Sequence, residues 1–210
     1  STLNSSLNVS SIMLFGRSPV AEQVGREWVV ENHHHEKNLE ILEADADHIV
    51  TIRNCHSCTV TVLSPAVSYI LLEDCNKTQL VMTSAADGVE LLNCRSIVIT
   101  AAGSIPVIDL EKCSGVVITM NRAEIDSAAI YSSSCADVRV AYVDNDPEAD
   151  SSVLVEKTIP NRFLTRVDTS QGSIVTHAVY KVPERRSRQG VRVVEKLLQV
   201  GAESNLEDVE

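Results

Sequence analysis

The chain has 210 residues, 44% of them hydrophobic, which is enough for one packed domain with appended tails. Its 29 acidic residues outweigh 18 Lys and Arg to give a net charge of -11, and aromatics make up only 3%, a balance that opposes nonspecific binding to nucleic acid and leaves no stacking platform for bases. No apolar run reaches the roughly 18 to 20 residues of a membrane helix, and the patch from Ile12 to Phe15 is too short for a secretory core, so the sequence reads as soluble and cytoplasmic, with no membrane partner.

Residues 1–25 are rich in Ser and Asn and lack a sustained period, which predicts a flexible leader. The glycosylation tripeptides starting at Asn4, Asn8 and Asn76 matter only in a secreted chain. Ordered structure is expected to open at Trp28 with the alternating Val29 and Val30. His33, His34 and His35 then fall in a polar turn. Adjacent histidines on an extended segment point in opposite directions, so no metal site is expected there.

From residue 26 to about 155 the chain is organised by its cysteines. Cys55, Cys75, Cys94, Cys113 and Cys135 recur at intervals of 20, 19, 19 and 22 residues. Periods of that size mark stacked repeats. After each cysteine, apolar residues alternate with a spacing of two, as in Val60 with Val62, Ile97 with Ile99, and Val116 with Ile118. A second short apolar run precedes each one, as in Ile49 to Ile52 and Val107 to Leu110. Both patterns belong to strands. About 20 residues cannot hold a strand, a crossover helix and a return, since that unit needs about 30 or more. The expected fold is therefore all-β, a right-handed parallel β-helix of about six coils in which equivalent strands pair in parallel. A small, readily buried side chain suits an inward corner, so the cysteines should form a reduced internal ladder. Cys58 makes a CxxC with Cys55, but no second pair follows, and a turn position is favoured over a ligand.

The coils are expected to run to about Val143 and to leave through an acidic turn, Asp144 to Asp150. That turn lacks the glycine-punctuated ligand spacing of a calcium loop. Residues 156–182 then suggest a hairpin, with Arg162 to Val167 and Ser173 to Lys181 flanking a turn. Its second strand places Ile174, Thr176, Ala178 and Tyr180 on one face and Val175, His177, Val179 and Lys181 on the other, so neither face is cleanly polar. A lone hairpin is marginal in water, which predicts burial by a second copy through exchanged hairpins, with Phe163 and the residues from Ile174 to Tyr180 at the homodimer contact. Residues 183–210 begin with Arg185, Arg186 and Arg188. Val193, Val194, Leu197 and Leu198 follow at one-face spacing, suggesting a short amphipathic helix in the tail.

Several segments, in order, resemble the C-terminal CARP domain of the cyclase-associated protein family: WVVEN at Trp28, GSIPVIDLEKCSGVVITM from Gly103 to Met120, IPNRFLT from Ile159 to Thr165, and SIVTHAVYK. The resemblance covers about residues 26–182. It implies a noncatalytic, cytoskeleton-associated protein that binds ADP-bound actin monomers and promotes nucleotide exchange on them, working as a hairpin-exchanged homodimer without cofactor or metal. It places actin contacts on the later coils, and the candidates here are Lys112, Ser132, Ser133, Ser134, Asp137 and Arg139. The stretch from Tyr131 to Arg139 departs from the family by having a small residue near Ser134 where the family has Lys. The leader has neither the proline-rich stretch nor the basic actin-binding segment that usually precedes this domain, which suggests a fragment or a reduced form. The 28 residues from Pro183 onward extend past the usual end of the family chain.

Two other classes are weighed. The tubulin-cofactor-C-like family shares the solenoid and stimulates GTP hydrolysis with an arginine in a Gln-x-Arg motif. At the matching place this chain has Gly88, Val89 and Glu90, and an acid there repels the phosphate. A carbohydrate-active β-helix enzyme needs two positioned acids. Asp74, Glu90, Asp109, Glu111 and Glu124 do not converge at one coil position, although Asp109 and Glu111 can share a face.

Overall fold

The computed structural model describes residues 17–146, 151–168, 172–181 and 195–197. Strand β1 (Val20–Val24) leads into six coils. Each coil gives one strand to each of two sheets: β2 (Glu27–Glu31) with β3 (Leu39–Ile41), β4 (Ile49–Arg53) with β5 (Thr59–Val62), β6 (Val67–Glu73) with β7 (Gln79–Met82), β8 (Ala85–Leu92) with β9 (Arg95–Ala101), β10 (Val107–Glu111) with β11 (Ser114–Thr119), and β12 (Ala129–Ser133) with β13 (Ala136–Asp146). Pairing between successive coils is parallel and almost wholly in register, so the chain forms a β-solenoid of about six turns.

The alternation in the sequence becomes two inward columns in the first sheet. One is Trp28, Val50, Ile70, Val89 and Ile108, and the other is Val30, Ile52, Leu72, Leu91 and Leu110; all are buried. Leu80, Ile99 and Ile118 face them from the second sheet. Each large aliphatic side chain so buried contributes about 1.5–3 kcal/mol.

The corner between the sheets repeats as strictly as the strands. The residue before each inward corner position, Asn32, Asn54, Asp74, Asn93, Lys112 and Ser134, is left-handed, with φ between 48° and 59°. Asn and Asp tolerate that conformation better than other side chains, which explains their predominance there. The column is also stitched by side chains: Asn54 Nδ2 donates to Asn32 Oδ1 at 2.7 Å and Asn93 Nδ2 to Asp74 Oδ1 at 2.5 Å. The cysteines follow in the wall, reduced, with Cys55, Cys75, Cys94 and Cys113 buried. Their thiols reach the carbonyls of Val30, Ile52, Leu72 and Leu91 in the coil below, at 3.4–3.7 Å. Cys58 is buried too, one turn position on, and its thiol donates to the His33 carbonyl at 3.3 Å. Hydrogen bonding with the neighbouring thiol and burial push Cys55 and Cys75 up to about 12, so both stay protonated.

Both ends of the solenoid depart from the sequence expectation. Order does not wait for Trp28: Val20–Val24 folds back through Gly25 and pairs antiparallel with β2, covering the first edge of that sheet. His33 is not in an exposed turn either. It occupies the corner position that cysteine fills in later coils, is buried, and its Nε2 lies 2.9 Å from the Val20 carbonyl. Asn32 Nδ2 donates to the Ser18 carbonyl at 3.2 Å, so the segment before β1 is held by the first corner.

At the far end, β13 continues to Asp146 rather than stopping at Val143, and β14 (Ser151–Thr158) returns antiparallel along it. Residues 147–150 of the expected acidic turn lie outside the described residues. The first compact unit thus extends to Ile159, past the expected boundary at 155. The 22-residue interval before Cys135 has a local cause, the six-residue helix α1 (Arg122–Ser127) inserted between β11 and β12.

A second unit begins at Pro160. It contains the expected hairpin, β15 (Phe163–Asp168) antiparallel to β16 (Ser173–Lys181). In the tail, Glu195–Leu197 forms a strand, β17, paired with Val179–Lys181, so the expected helix does not include Leu197. The unpaired edge of β16 takes up these residues in extended form. Arg185, Arg186, Arg188, Val193, Val194 and Leu198 lie outside the described residues.

Gly88 has φ +148°, and a Cβ there would meet the Val107 carbonyl oxygen at 2.5 Å. Gly88→Ala should cost about 1–3 kcal/mol, read as a lower urea midpoint at unchanged slope. Burial lowers the His33 pKa below the usual 6.5, outweighing the Val20 hydrogen bond and the Glu36 charge. The unfolded chain therefore takes up this proton first, so the stability associated with neutral His33 is complete above 6.5 and declines as pH falls through and below it. His33→Cys, matching the later coils, should reduce the loss of urea stability between about pH 7.5 and 5.5.

Candidate functional site

The last coil breaks the inward pattern. The column Val30, Ile52, Leu72, Leu91 and Leu110 continues at Ser132, which is exposed. Strand β14 covers the outer edge of β13 in the second sheet, while among the described residues no strand pairs with the outer edge of β12 in the first. The solenoid thus ends in a five-residue edge carrying Tyr131, 59% exposed, and Ser132 and Ser133.

Of the residues expected from the sequence on the later coils, Ser132 and Ser133 lie on this edge, Lys112 and Ser134 in the adjoining corner column, and Asp137 and Arg139 on β13 of the second sheet. Ser132 sits opposite Leu110 and Ser133 opposite Glu111, and the Lys112 amide donates to the Ser133 carbonyl at 2.9 Å. Lys112 and Ser134 occupy successive places in the left-handed corner column. Lys112 Nζ lies 2.8 Å from Glu111, whose hydrogen bond and charge raise its pKa. Asp137 is left-handed just past the corner and lies 3.3 Å from Arg139 Nε. Arg139 itself sits beside Val117 on the outer face of the second sheet. Its guanidinium is clamped by Glu156 at 2.7 Å, which with Asp137 raises its pKa. Sequence reasoning misses Glu156, because its proximity depends on the antiparallel return of β14.

The outer face of the first sheet is acidic. Glu90 and Asp109 are direct neighbours across a rung, closer than their sequence spacing suggests. The Tyr69 hydroxyl donates to Glu90 Oε2 at 2.6 Å. Burial and these two carboxylates raise the tyrosine pKa, keeping it a donor. Arg53 bridges Glu31 and Glu73, each at 3.1 Å. The corner itself holds a shallow groove of about 210 Å³, between the turns that carry His56, Asn76, Arg95 and Lys112. Among the described residues, no group of three or more His, Cys, Asp and Glu could hold a metal ion.

The hairpin residues divide between its faces. Phe163 pairs with Ala178, Thr165 with Thr176, and Val167 with Ile174, which puts all six on one face. Phe163, Val167 and Ile174 are 59%, 65% and 70% exposed, so this apolar stripe is bare in the single chain. Val175 is exposed on the other face with His177, half-buried, while Val179 is buried and Tyr180 lies opposite Lys196 in β17.

The family model described as adenylate cyclase associated (CAP) C terminal matches residues 17–181. The chain is 27% identical over 141 residues to cyclase-associated protein 1 of Arabidopsis thaliana, covering 67% of this chain and 29% of that one. It is 30% identical over 143 residues to the adenylyl cyclase-associated protein of Dictyostelium discoideum, covering 68% and 30%. It therefore spans less than a third of the length of these relatives. A crystal structure of cyclase-associated protein from Cryptosporidium parvum has the same fold, with a TM-score of 0.70 at 22% identity over 77% of this chain and 96% of that one.

Proposed function

Because the chain belongs to the family of adenylate cyclase-associated protein C-terminal domains, we propose that it is a noncatalytic regulator of actin that binds the ADP-loaded monomer and promotes nucleotide exchange on it. The observation that carries this reading is the open edge of the last coil, which exposes Ser132, Ser133 and Ser134 in the part of the chain where the resemblance puts the contact, with Lys112 at the corner one coil before and Asp137 and Arg139 following on β13. Binding promotes exchange through differential affinity. A ligand that prefers a more open monomer shifts the population toward it, and ADP leaves faster from that state. The acidic outer face supports encounter with basic patches on such a partner.

The active form in this reading is a homodimer. The bare stripe formed by Phe163, Val167 and Ile174 with their cross-strand partners, and the open edge of β12, are features that a second copy can cover by exchanging hairpins. The GTPase-activating alternative is not favoured: Glu90, at the position where that chemistry needs a cation, is an acid engaged by Tyr69.

Release of a fluorescent ADP analogue from purified actin should accelerate when the chain is added. Reversing Lys112 and Arg139 together to Glu should reduce that acceleration by about tenfold, a loss of about 1.4 kcal/mol of differential binding. A wild-type chain that neither accelerates release nor binds actin would falsify the reading. Sedimentation tests the dimer: Val167→Lys with Ile174→Lys should convert it to monomer with the solenoid's circular dichroism unchanged. A wild-type chain that sediments as a monomer rules out exchange.

A further inference from the structure

We propose that β1 is a proton-sensitive latch on the N-terminal end of the solenoid: acid releases this strand from the edge of β2 while the coils behind it stay folded. The strand is fastened by polar contacts more than by packing. Its five residues are half-buried or exposed, Val24 at 61%, so little apolar area holds it. Beyond the ladder to β2, Asn32 Nδ2 donates to the Ser18 carbonyl at 3.2 Å, His33 Nε2 lies 2.9 Å from the Val20 carbonyl, and the Nε2 atoms of Gln23 and His48 lie 2.8 Å apart. Across from Gln23 stands Trp28, the chain's one tryptophan, whose indole N–H is buried and finds no acceptor. A closed strand that leaves a buried donor unsatisfied gains less than its ladder alone would give. Gly25, left-handed at φ 62° with open space around it, joins β1 to β2 as a hinge.

His33 couples the latch to protons. From its own turn, Glu36 favours the charged ring, and His34 and His35 adjoin it. From the coil above, Cys55 and Cys58 face it, and the Cys58 thiol lies on the His33 carbonyl. Glu31, opposite Val20 across the ladder, is bound to Arg53. Burial outweighs the Val20 hydrogen bond and the Glu36 charge and holds the ring neutral below the ordinary 6.5. Moving β1 away returns the ring to water, so the open form has the higher proton affinity. As pH falls below 6.5, the open population rises by up to about tenfold per unit until the closed form is protonated too. The coils do not follow, because unfolding them exposes the aliphatic columns whereas releasing β1 does not. The latch does not depend on the actin reading, and its readouts need no actin.

Amide hydrogen exchange of the full chain between about pH 6.5 and 5 tests the latch. The hydrogen bond with Cys55 lowers the Cys58 pKa to about 7, so that thiol is largely protonated across this range. Protection factors of the β1 amides, corrected for intrinsic exchange, should fall several-fold toward the acid end while those of β6 and β8 hold. Trp28 fluorescence should shift to the red over the same range as water reaches the indole. His33→Cys, which borrows the corner residue of later coils, should leave β1 protection independent of pH. His48→Gln, which keeps an amide beside Gln23, should retain the wild-type slope. A flat β1 profile in the wild-type chain, an equal loss of protection in β6 and β8, a slope that survives His33→Cys, or one abolished by His48→Gln overturns the proposal.

Discussion

The fold depends on one repeated event, a left-handed residue that turns the chain into an inward corner side chain directly above the same corner in the coil below. Parallel strands about 4.8 Å apart cannot drift in register without misplacing every side chain, because a shift of one residue exchanges the inner and outer faces. The corner opposes that shift. Asn or Asp makes the left-handed turn inexpensive, and the thiol that follows fits the wall and places its proton near a carbonyl of the preceding coil. Each such contact is weak on its own. Repeated from coil to coil, they fix the stacking that buries the aliphatic columns, and those columns hold most of the stabilising energy.

A stack has ends, and there the repeat no longer satisfies itself. The N-terminal end is closed by β1, whose Val20 carbonyl meets His33, a larger polar ring in place of the thiol. The C-terminal end of the second sheet is closed by β14, which also brings Glu156 to Arg139. The C-terminal end of the first sheet has neither device among the described residues, and its inward column turns from leucine to serine at Ser132. A hydroxyl at that position suits a surface that meets water or a partner rather than another aliphatic rung.

The interior of this architecture was legible in the sequence because each coil restates it. Five equally placed cysteines and flanking alternation gave the period, the parallel pairing and the reduced thiol wall. The ends were not legible, since each is written once. Val20 to Val24 alternates too weakly to announce a strand, and nothing in the histidine run says that His33 substitutes for a cysteine until Val20 is folded against it. The helix at Arg122 to Ser127 appeared only as three extra residues in one interval. In the tail, the helical spacing of Val193, Val194, Leu197 and Leu198 competed with an open strand edge, and β16 paired with Glu195–Leu197. The candidate site was half visible: its residues could be named only through the family resemblance of the later coils, and the clamp by Glu156 and the pairing of Glu90 with Asp109 required the register.

A column of equivalent positions also supplies an internal reference against which each residue can be judged. Where every coil faces the same local constraint, the residue that obeys it needs no other explanation. Ser132 and His33 depart from their columns, and both lie at ends where the constraint itself changes. Lys112 departs inside the stack, where the turn is the same as its neighbours', at a conformational cost of about 1 kcal/mol that Asn would largely avoid and that Lys77, left-handed at φ 51° elsewhere in the turns, bears as well. Nothing in the packing offsets that cost, since the side chain is largely exposed and its contact with Glu111 is a surface ion pair of small value. Lys112 stands at the rim of the corner groove, one coil before the open edge of the first sheet, where solvent rather than packing surrounds a long side chain, so the column accepts a residue that its interior positions would reject.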